Sequence, residues 1–160
     1  MFPASEIVKK AIFYLYNRDL IAYFMGAKGE ILTMERMSEL ISWFPDYFSR
    51  YEDWEIRDIM KFSVGKTGFD CSGLVSACVG APGQSSWDLW DQTTNRTSVK
   101  DCKAGSFLYR PGHIGIDIGY GYCVDIAKEG EGVRLIPNDQ AGFEAGGEYI
   151  YADYSMMQNY

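Results

Sequence analysis

Three residues have types and spacing that suit nucleophilic catalysis: Cys71, His113 and Asp125. A cysteine thiolate is a nucleophile, and a helix N-terminus or a neighbouring imidazolium stabilises the negative sulfur. Cys71 begins the apolar run "CSGLVSACV", where we expect the first turn of a helix, and His113 is the only histidine. A third group that accepts a hydrogen bond from the other ring nitrogen would orient the imidazole. Asp125 could be that group.

Each of these residues also has a structural interpretation. A cysteine beside an apolar run is usually a small buried side chain, a single histidine on a strand is more often structural, and an aspartate in a hairpin can face water. The order of the three favours catalysis instead: a cysteine at a helix start, a histidine on a strand and an acid on the next strand. Cys78 lies on the same predicted helix as Cys71, but away from its positive end, and is expected to pack in the core.

The stretch "HIGIDIGYGYCVDIA" predicts how His113 and Asp125 meet. Side chains alternate along a strand, so His113 lies on the face opposite the three isoleucines. If residues 119–121 form a three-residue loop, the residues on either side of the loop pair with each other and Gly115 pairs with Asp125. Asp125 is then the diagonal neighbour of His113 on the same face. A two-residue turn would place it on the opposite face.

Helices are predicted in the first part of the chain. Apolar residues at helical spacing, with flanking cap and stop residues, indicate helices over residues 5–17, 33–44, 51–62 and 71–79. Ser5, Thr33 and Asp53 are the candidate N-caps of the first three. The segment "SSWDLWDQTT" predicts one or two short helical turns, with Trp87 and Trp90 packing inward.

Strands are predicted after residue 104. Five short segments rich in β-branched and aromatic residues alternate with Gly-rich turns: "SFLYR", "HIGIDIG", "YCVDIA", "GVRLI" and "EYIYA". They predict a meandering antiparallel sheet. Helices first and strands afterwards indicate an α+β domain whose helices pack against one face of the sheet.

Composition and charge exclude several classes of protein. The 160 residues suit one domain, and the net charge of −7 with no basic stripe argues against a nucleic-acid partner and against anionic membranes. No apolar segment is long enough to span a bilayer, and no signal peptide is visible, so we expect synthesis in the cytoplasm with all four cysteines reduced. One histidine and no C-x-x-C pair argue against a metal site. No cofactor is expected, and a monomer is favoured.

The segments "FDCSGLVSACVG" and "AGSFLYRPGHIGIDIGYGYCVDIAKEGEGVRLI" resemble the NlpC-type peptidoglycan cysteine endopeptidases, a papain-like family of small bacterial and phage enzymes. D-C-S-G-L-V/I is the nucleophile motif of that family, and G-H-I/V-G-I/V-x-I/V-G is its base-bearing strand. The resemblance covers residues 68–80 and 105–133. It implies helices packed on a five-stranded, mainly antiparallel sheet, with Cys71 as nucleophile, His113 as base and Asp125 as the orienting group.

The resemblance also extends, with departures, to the N-terminal half. Members often carry P-Y-x-W/Y-G before the nucleophile, and "AYFMGAKG" could supply its site-lining tyrosine as Tyr23, 48 residues before Cys71. The alternative is a core aromatic. The intervening residues would form a helical insertion around 30–67 of a single domain, 1–160. A similar spacing in phage-type lysins of this group favours a phage or prophage source. Ser106 stands where members have an aspartate, and the third group is an acid where many have His, Asn or Gln.

Two residues flanking Cys71 have two possible roles. Asp70 is placed to cap the helix, and a carboxylate so close should by itself raise the pKa of the thiol. In relatives that cut short muropeptides, the positions of Asp70 and Ser72 bind the free amine of the substrate. Both residues are therefore candidate substrate contacts.

The resemblance implies hydrolysis of an amide in the peptidoglycan stem peptide, of the D-glutamyl–diamino acid type, with bacterial cell wall as partner. The related CHAP-type enzymes cleave the N-acetylmuramoyl-L-alanine amide with the same catalytic order. Two further hypotheses are acyl transfer, with an apolar groove lined by Trp87, Trp90 and the Met-rich helix, and a binding module without activity. A lysin without a signal peptide would need a holin or a virion to reach the wall.

Overall fold

A computed structural model describes all 160 residues. Its helices are α1 (Ser5–Tyr16), α2 (Met34–Trp43), α3 (Pro45–Phe48), α4 (Asp53–Ser63), α5 (Cys71–Cys78), α6 (Ser86–Asp91) and α7 (Asn138–Ala141). Its strands are β1 (Phe2–Pro3), β2 (Ile21–Tyr23), β3 (Lys28–Ile31), β4 (Thr67–Phe69), β5 (Thr93–Thr97), β6 (Phe107–Arg110), β7 (His113–Gly119), β8 (Tyr122–Asp125), β9 (Arg134–Pro137), β10 (Ala145–Tyr149) and β11 (Ala152–Asp153). None of the helices combines the length and the apolar character that crossing a bilayer requires.

The central sheet is antiparallel and has the strand order β5-β10-β6-β7-β8-β9. Four of the five predicted segments form β6 to β9, and the α+β class is confirmed. The fifth, "EYIYA", is wrong in its bounds, because Glu148 and Tyr149 end β10 and the next two residues form a turn. The order is not a simple meander, since β10 pairs with β6 and not with β9. The sheet has one strand more, the edge strand β5, whose first two residues lie in the segment predicted to be helical. Its residues are "TTNRT", mostly exposed, so it lacks the apolar alternation by which strands are detected.

Helices α1 and α5 pack on one face of this sheet, mainly against β7. The largest core cluster lies between them and includes Ile7, Leu74, Ile114, Ile116 and Val124. A smaller cluster on the other face contains Leu108, Cys123 and Ala141. This packing places the first turn of α5 beside the start of β7.

Helices α2 to α4 form a second cluster with a small sheet of strand order β2-β4-β3. Thr33 caps α2 as predicted, by accepting a hydrogen bond from the Arg36 backbone N–H. The predicted caps of two other helices are wrong. Ser5 is the first residue of α1 and makes no capping bond, and α4 begins with a capping box in which Glu52 rather than Asp53 is the cap.

The β7–β8 hairpin differs from the prediction in its turn but not in its register at the site. Tyr120 and Gly121, both at positive φ, form a two-residue turn, and Tyr122 pairs with Gly119 instead of Ile118. A one-residue bulge then shifts the register, so that Ile116 lies opposite Val124. The bulge restores the residue that the shorter turn omits, and Asp125 stays on the face of His113.

Candidate active site

Cys71 is the first residue of α5. Strand β4 leads into the helix, and Asp70 is extended (φ −87°, ψ 179°) and caps it, accepting a hydrogen bond from the Gly73 N–H at 2.7 Å. Capping by Asp70, predicted from the sequence, is therefore observed. The Cys71 thiol lies in the wall of a cavity of about 490 Å³. The Cys71 N–H belongs to the first helical turn, where backbone donors have no partner within the helix.

The surroundings of Cys71 favour the protonated thiol. Burial raises the pKa of the Cys71 thiol to about 11, and the charge of Asp70 adds to the increase. The backbone N–H groups of Ile114 and Ser72 and the charge of Lys28 lower the pKa, but by less. The sequence predicted a thiolate stabilised by the helix N-terminus, and desolvation outweighs that effect. A base must therefore remove the proton when the sulfur attacks.

His113 and Asp125 meet across the β7–β8 hairpin. Nε2 of His113 lies 2.8 Å from Oδ2 of Asp125, and both side chains are buried. Because Nε2 is engaged, Nδ1 is the ring nitrogen left to exchange a proton with a thiol. Burial alone would raise the pKa of the Asp125 carboxyl, but hydrogen bonds and charge from His113 and Arg134 outweigh burial and lower it. Asp125 thus stays ionised and can stabilise an imidazolium.

The start of β7 brings His113 close to Cys71. The Ile114 backbone N–H, next to His113, lowers the pKa of the Cys71 thiol, and Gly112 on the other side of His113 lines the same cavity as Cys71. The side-chain hydrogen bond of His113 goes to Asp125, and no hydrogen bond joins its ring to the Cys71 sulfur. His113, hydrogen-bonded to Asp125, therefore lies at the start of the strand that packs against the helix of Cys71.

Arg134 is a member of this group that the sequence analysis missed. It is the direct partner of Asp125 in the β8–β9 pairing, and its Nε and Nη2 donate to the two carboxylate oxygens at 2.8 Å each. Eight residues separate Asp125 from Arg134, and a connection of that length does not fix the register of a strand pair. The sequence therefore contains only a weak indication that Arg134 pairs with Asp125.

The Phe143 ring packs on one face of the His113 imidazole. Its ring stacks on His113 with centroids 5.2 Å apart and planes 4° apart. Gly115 makes room for this arrangement, because a Cβ there would lie 2.9 Å from Phe143 Cζ and 3.2 Å from Asp125 Cβ. His113 is thus fixed at an edge by Asp125 and at a face by Phe143.

The candidate substrate contacts Tyr23, Asp70 and Ser72 line the same cavity as Cys71. Tyr23 is only 4% exposed and belongs to the main core cluster, so it has both of the roles that the sequence left open. Burial raises the pKa of its phenol, and the neighbouring Cys71 and Glu129 add to the increase. A neutral Tyr23 hydroxyl is therefore available as a hydrogen-bond donor at neutral pH.

Lys28 fills the space between Asp70 and Ser72. Its Nζ lies 2.8 and 2.9 Å from the two Asp70 carboxylate oxygens, 2.8 Å from Ser72 Oγ and 3.1 Å from the Gln84 carbonyl oxygen. No local pattern in the sequence indicates this contact, since Lys28 is 42 positions from Asp70. The acidic group beside the nucleophile is therefore already paired with an ammonium.

A buried carboxylate ties the three-helix segment to the rim of the cavity. Glu129 accepts hydrogen bonds from the Tyr47 hydroxyl at 2.6 Å, the Tyr51 hydroxyl at 2.8 Å and the Met25 N–H at 2.9 Å. Phe44 of the same segment lines the cavity together with Met25. Residues 34–63 therefore form part of the cavity wall through fixed contacts.

A larger cavity, of about 600 Å³, is not lined by Cys71. It is lined by Cys102, Asp117 and Tyr160 among others, and Phe143 forms part of its wall. The smaller cavity is the candidate active site, because chemistry is set by the reactive groups and not by volume.

Comparison with solved structures shows the fold of the chain. The peptidoglycan hydrolase RipB from Mycobacterium tuberculosis superposes with a TM-score of 0.55 at 21% identity, over 92% of this chain and 66% of that one. The Resuscitation Promoting Factor Interacting protein RipA gives 0.55 at 19% identity, over 91% and 63%. The P60 domain of an antigen from M. avium subspecies paratuberculosis gives 0.57 at 15% identity, over 94% and 98%. The predicted papain-like α+β fold is confirmed.

The chain is shorter than two of these proteins. It spans about two thirds of the RipB and RipA chains on which it superposes. No protein-family model and no curated protein sequence matches it.

Proposed function

We propose that the chain is an NlpC-type cysteine peptidase that hydrolyses an amide bond of peptidoglycan. The observation that carries the proposal is the 2.8 Å contact between His113 Nε2 and Asp125 Oδ2, formed beside a cysteine at a helix N-terminus. The motifs "DCSGLV" and "GHIGIDIG" supply these residues, and the superposition on RipB, described as a peptidoglycan hydrolase, supports the same assignment.

The proposed reaction proceeds through a thioester. His113 Nδ1 takes the thiol proton as the Cys71 sulfur attacks the carbonyl carbon, and a C–S bond forms. The Cys71 backbone N–H stabilises the oxyanion. The C–N bond then breaks, and His113 gives its proton to the leaving amine. Water, deprotonated by His113, hydrolyses the thioester and returns the thiol.

Asp125 contributes by orientation and charge. It keeps the His113 ring in the position where Nδ1 faces the nucleophile, and its negative charge stabilises the imidazolium formed in the first step. Because the Cys71 thiol is protonated at rest, this stabilisation is needed at the moment of attack. Arg134 and Phe143 hold the pair in place.

We assign the D-glutamyl–diamino acid bond of the stem peptide as the substrate bond, from the resemblance of the motifs. The N-acetylmuramoyl-L-alanine amide is the second candidate, because CHAP-type enzymes use the same catalytic order. Acyl transfer from an apolar acyl chain fits the cavity poorly. Neither predicted tryptophan lines it: Trp90 stacks on Tyr109 in the core, and Trp87 is exposed on the surface.

The test is digestion of purified bacterial cell walls with mass spectrometry of the released fragments. We expect wild-type protein to release fragments whose new ends identify the bond, and Cys71→Ala and His113→Ala to release none. Cys78→Ala is the matched control, since it removes a thiol from the same helix and should cost only packing energy. Release by Cys71→Ala equal to that of wild type would overturn the mechanism. An N-acetylmuramoyl end would assign the second candidate bond.

A further inference from the structure

The contacts of Lys28 form a complete binding site for an ammonium group inside the cavity of Cys71. An ammonium has three donors and no acceptor, and it binds best to a carboxylate with further oxygens around it. Asp70, Ser72 Oγ and the Gln84 carbonyl provide such a set, all within 3.1 Å of Lys28 Nζ. The Lys28 side chain is one third exposed and that of Asp70 about one tenth, so the carboxylate is largely shielded from water.

The backbone around the group is shaped to admit the lysine stem. A Cβ at Gly83 would lie 2.8 Å from both Cγ and Cδ of Lys28, and one at Gly73 would lie 3.3 Å from Cδ. Two positions without side chains thus flank the aliphatic stem, on the loop after α5 and within its first turn. The Lys28 side chain therefore lies in a slot between two backbone segments, whereas a typical surface lysine makes a single exposed contact with an acid.

We propose that Lys28 is a built-in occupant of an amine site in the cavity, and that the substrate segment lying there carries no free amine. This inference rests on the proposed function and specifies its substrate. The residues that could recognise a substrate amine, Asp70 and Ser72, are saturated by a tethered ammonium. A tethered group has a high effective concentration and is not displaced by a free amine of similar affinity.

The chemical class of the substrate follows from the occupation of the amine site by Lys28. A stem peptide released from its glycan strand begins with a free amine, which would bring a second positive charge to a site that is already neutral. A stem peptide still joined to the glycan has an amide at that position and brings no charge. The cavity therefore suits acylated, glycan-linked stems over released ones.

The first experiment compares two synthetic stem peptides, one with a free amino terminus and one with that amine acetylated. We expect wild-type protein to cleave the acetylated peptide with the higher kcat/KM. Lys28→Ala opens the slot and frees Asp70, so it should shift the ratio of the two kcat/KM values toward the free-amine peptide by about tenfold or more. Wild-type protein that requires the free amine would overturn the inference.

The second experiment needs no catalysis. Propylammonium has the three carbons and the nitrogen that Lys28→Ala removes beyond Cβ. We expect it to raise the thermal midpoint of Lys28→Ala with a saturating dependence on concentration, and propanol not to do so. Wild type, and Lys9→Ala as an exposed-lysine control, should not respond. Equal responses of all three proteins, or no response of Lys28→Ala, would overturn the amine site.

The two experiments separate this inference from the proposed function. If wild-type protein cleaves neither the peptides nor cell walls, the proposed function fails, and rescue by propylammonium still decides whether the site binds an amine. If wild-type protein cleaves cell walls but prefers the free-amine peptide, the function stands and the inference fails. If Lys28→Ala does not fold, the preference of wild type between the two peptides decides alone.

Discussion

Arg134 binds both carboxylate oxygens of Asp125, the residue that also contacts His113. An arginine and a histidine therefore share one buried carboxylate, and both contact its Oδ2. The arrangement fixes the plane of the carboxylate, and through it the ring of His113. It also means that part of the negative charge available to an imidazolium is already neutralised. Arg134 therefore helps to position the His113 ring, but it weakens the electrostatic stabilisation of the imidazolium.

Replacing Arg134 tests which of these effects dominates. We expect Arg134→Met to reduce the initial rate of cell-wall digestion by on the order of tenfold, because a freed carboxylate no longer holds the imidazole in register. Unfolding by urea should show a loss of about 1–3 kcal/mol, less than for a fully buried pair because Arg134 is partly exposed. Arg134→Lys should lie between Arg134→Met and wild type. A faster Arg134→Met enzyme with a changed pH profile would show that charge dominates.

The state of the Cys71 thiol can be measured by alkylation. Its pKa is raised to about 11, so the neutral thiol is the form present below that pH. The rate of reaction with iodoacetamide, followed at Cys71 by mass spectrometry, should rise about tenfold per pH unit from pH 7 to pH 10. Asp70→Asn removes a negative charge that raises the pKa and should move the profile to lower pH. A plateau reached below pH 8 would instead indicate a preformed thiolate–imidazolium pair.

Gly115→Ala should damage the site by steric contact alone. The φ of Gly115 is not positive, so alanine fits the backbone, but its Cβ would press on Phe143 and on Asp125. We expect activity to fall on the order of tenfold to a hundredfold, because a displacement of about 1 Å at a catalytic group is enough. Adding Phe143→Leu shortens the side chain that is pressed and should restore part of the activity. If Gly115→Ala alone keeps full activity, the stacked ring does not position His113.

Glu129 is predicted to hold the three-helix segment on the rest of the fold. In Glu129→Ala two tyrosine hydroxyls and the Met25 N–H lose their acceptor in a buried place, which should lower the free energy of unfolding by about 3 kcal/mol. Tyr47→Phe removes one of the three donors and should cost about 1 kcal/mol. Urea denaturation measures both. A Glu129→Ala protein as stable as Tyr47→Phe would mean that the carboxylate adds no more than one hydrogen bond.

Local patterns were enough to predict the elements that carry the chemistry. The helix at Cys71 was visible as an apolar run after an aspartate cap, and β7 as isoleucines in alternation. The face shared by His113 and Asp125 followed from counting residues around the hairpin. Each of these inferences depends on residues fewer than 15 positions apart, where covalent geometry restricts the outcomes.

Contacts between distant segments were not predictable in this way. Lys28 reaches Asp70 across 42 positions, and Glu129 reaches Tyr47 across 82. Such pairs depend on how whole elements pack, and a single sequence contains no signal for them. The protonated state of Cys71 escaped prediction for a related reason, because the helix N-terminus is visible in the sequence whereas the degree of burial is not.

The bulge in β7 sets which residues of β7 and β8 lie opposite each other along the rest of the hairpin. Turn and bulge together contain the same number of residues as the predicted three-residue loop. If the same chain paired flush from Gly119 and Tyr122, without the bulge, Ile116 would lie opposite Asp125 instead of Val124, and every side chain of β8 would exchange its face. Asp125 would then enter the apolar layer under α5. The one extra residue in β7 therefore keeps Asp125 on the face of His113, although neither turn residue touches the chemistry.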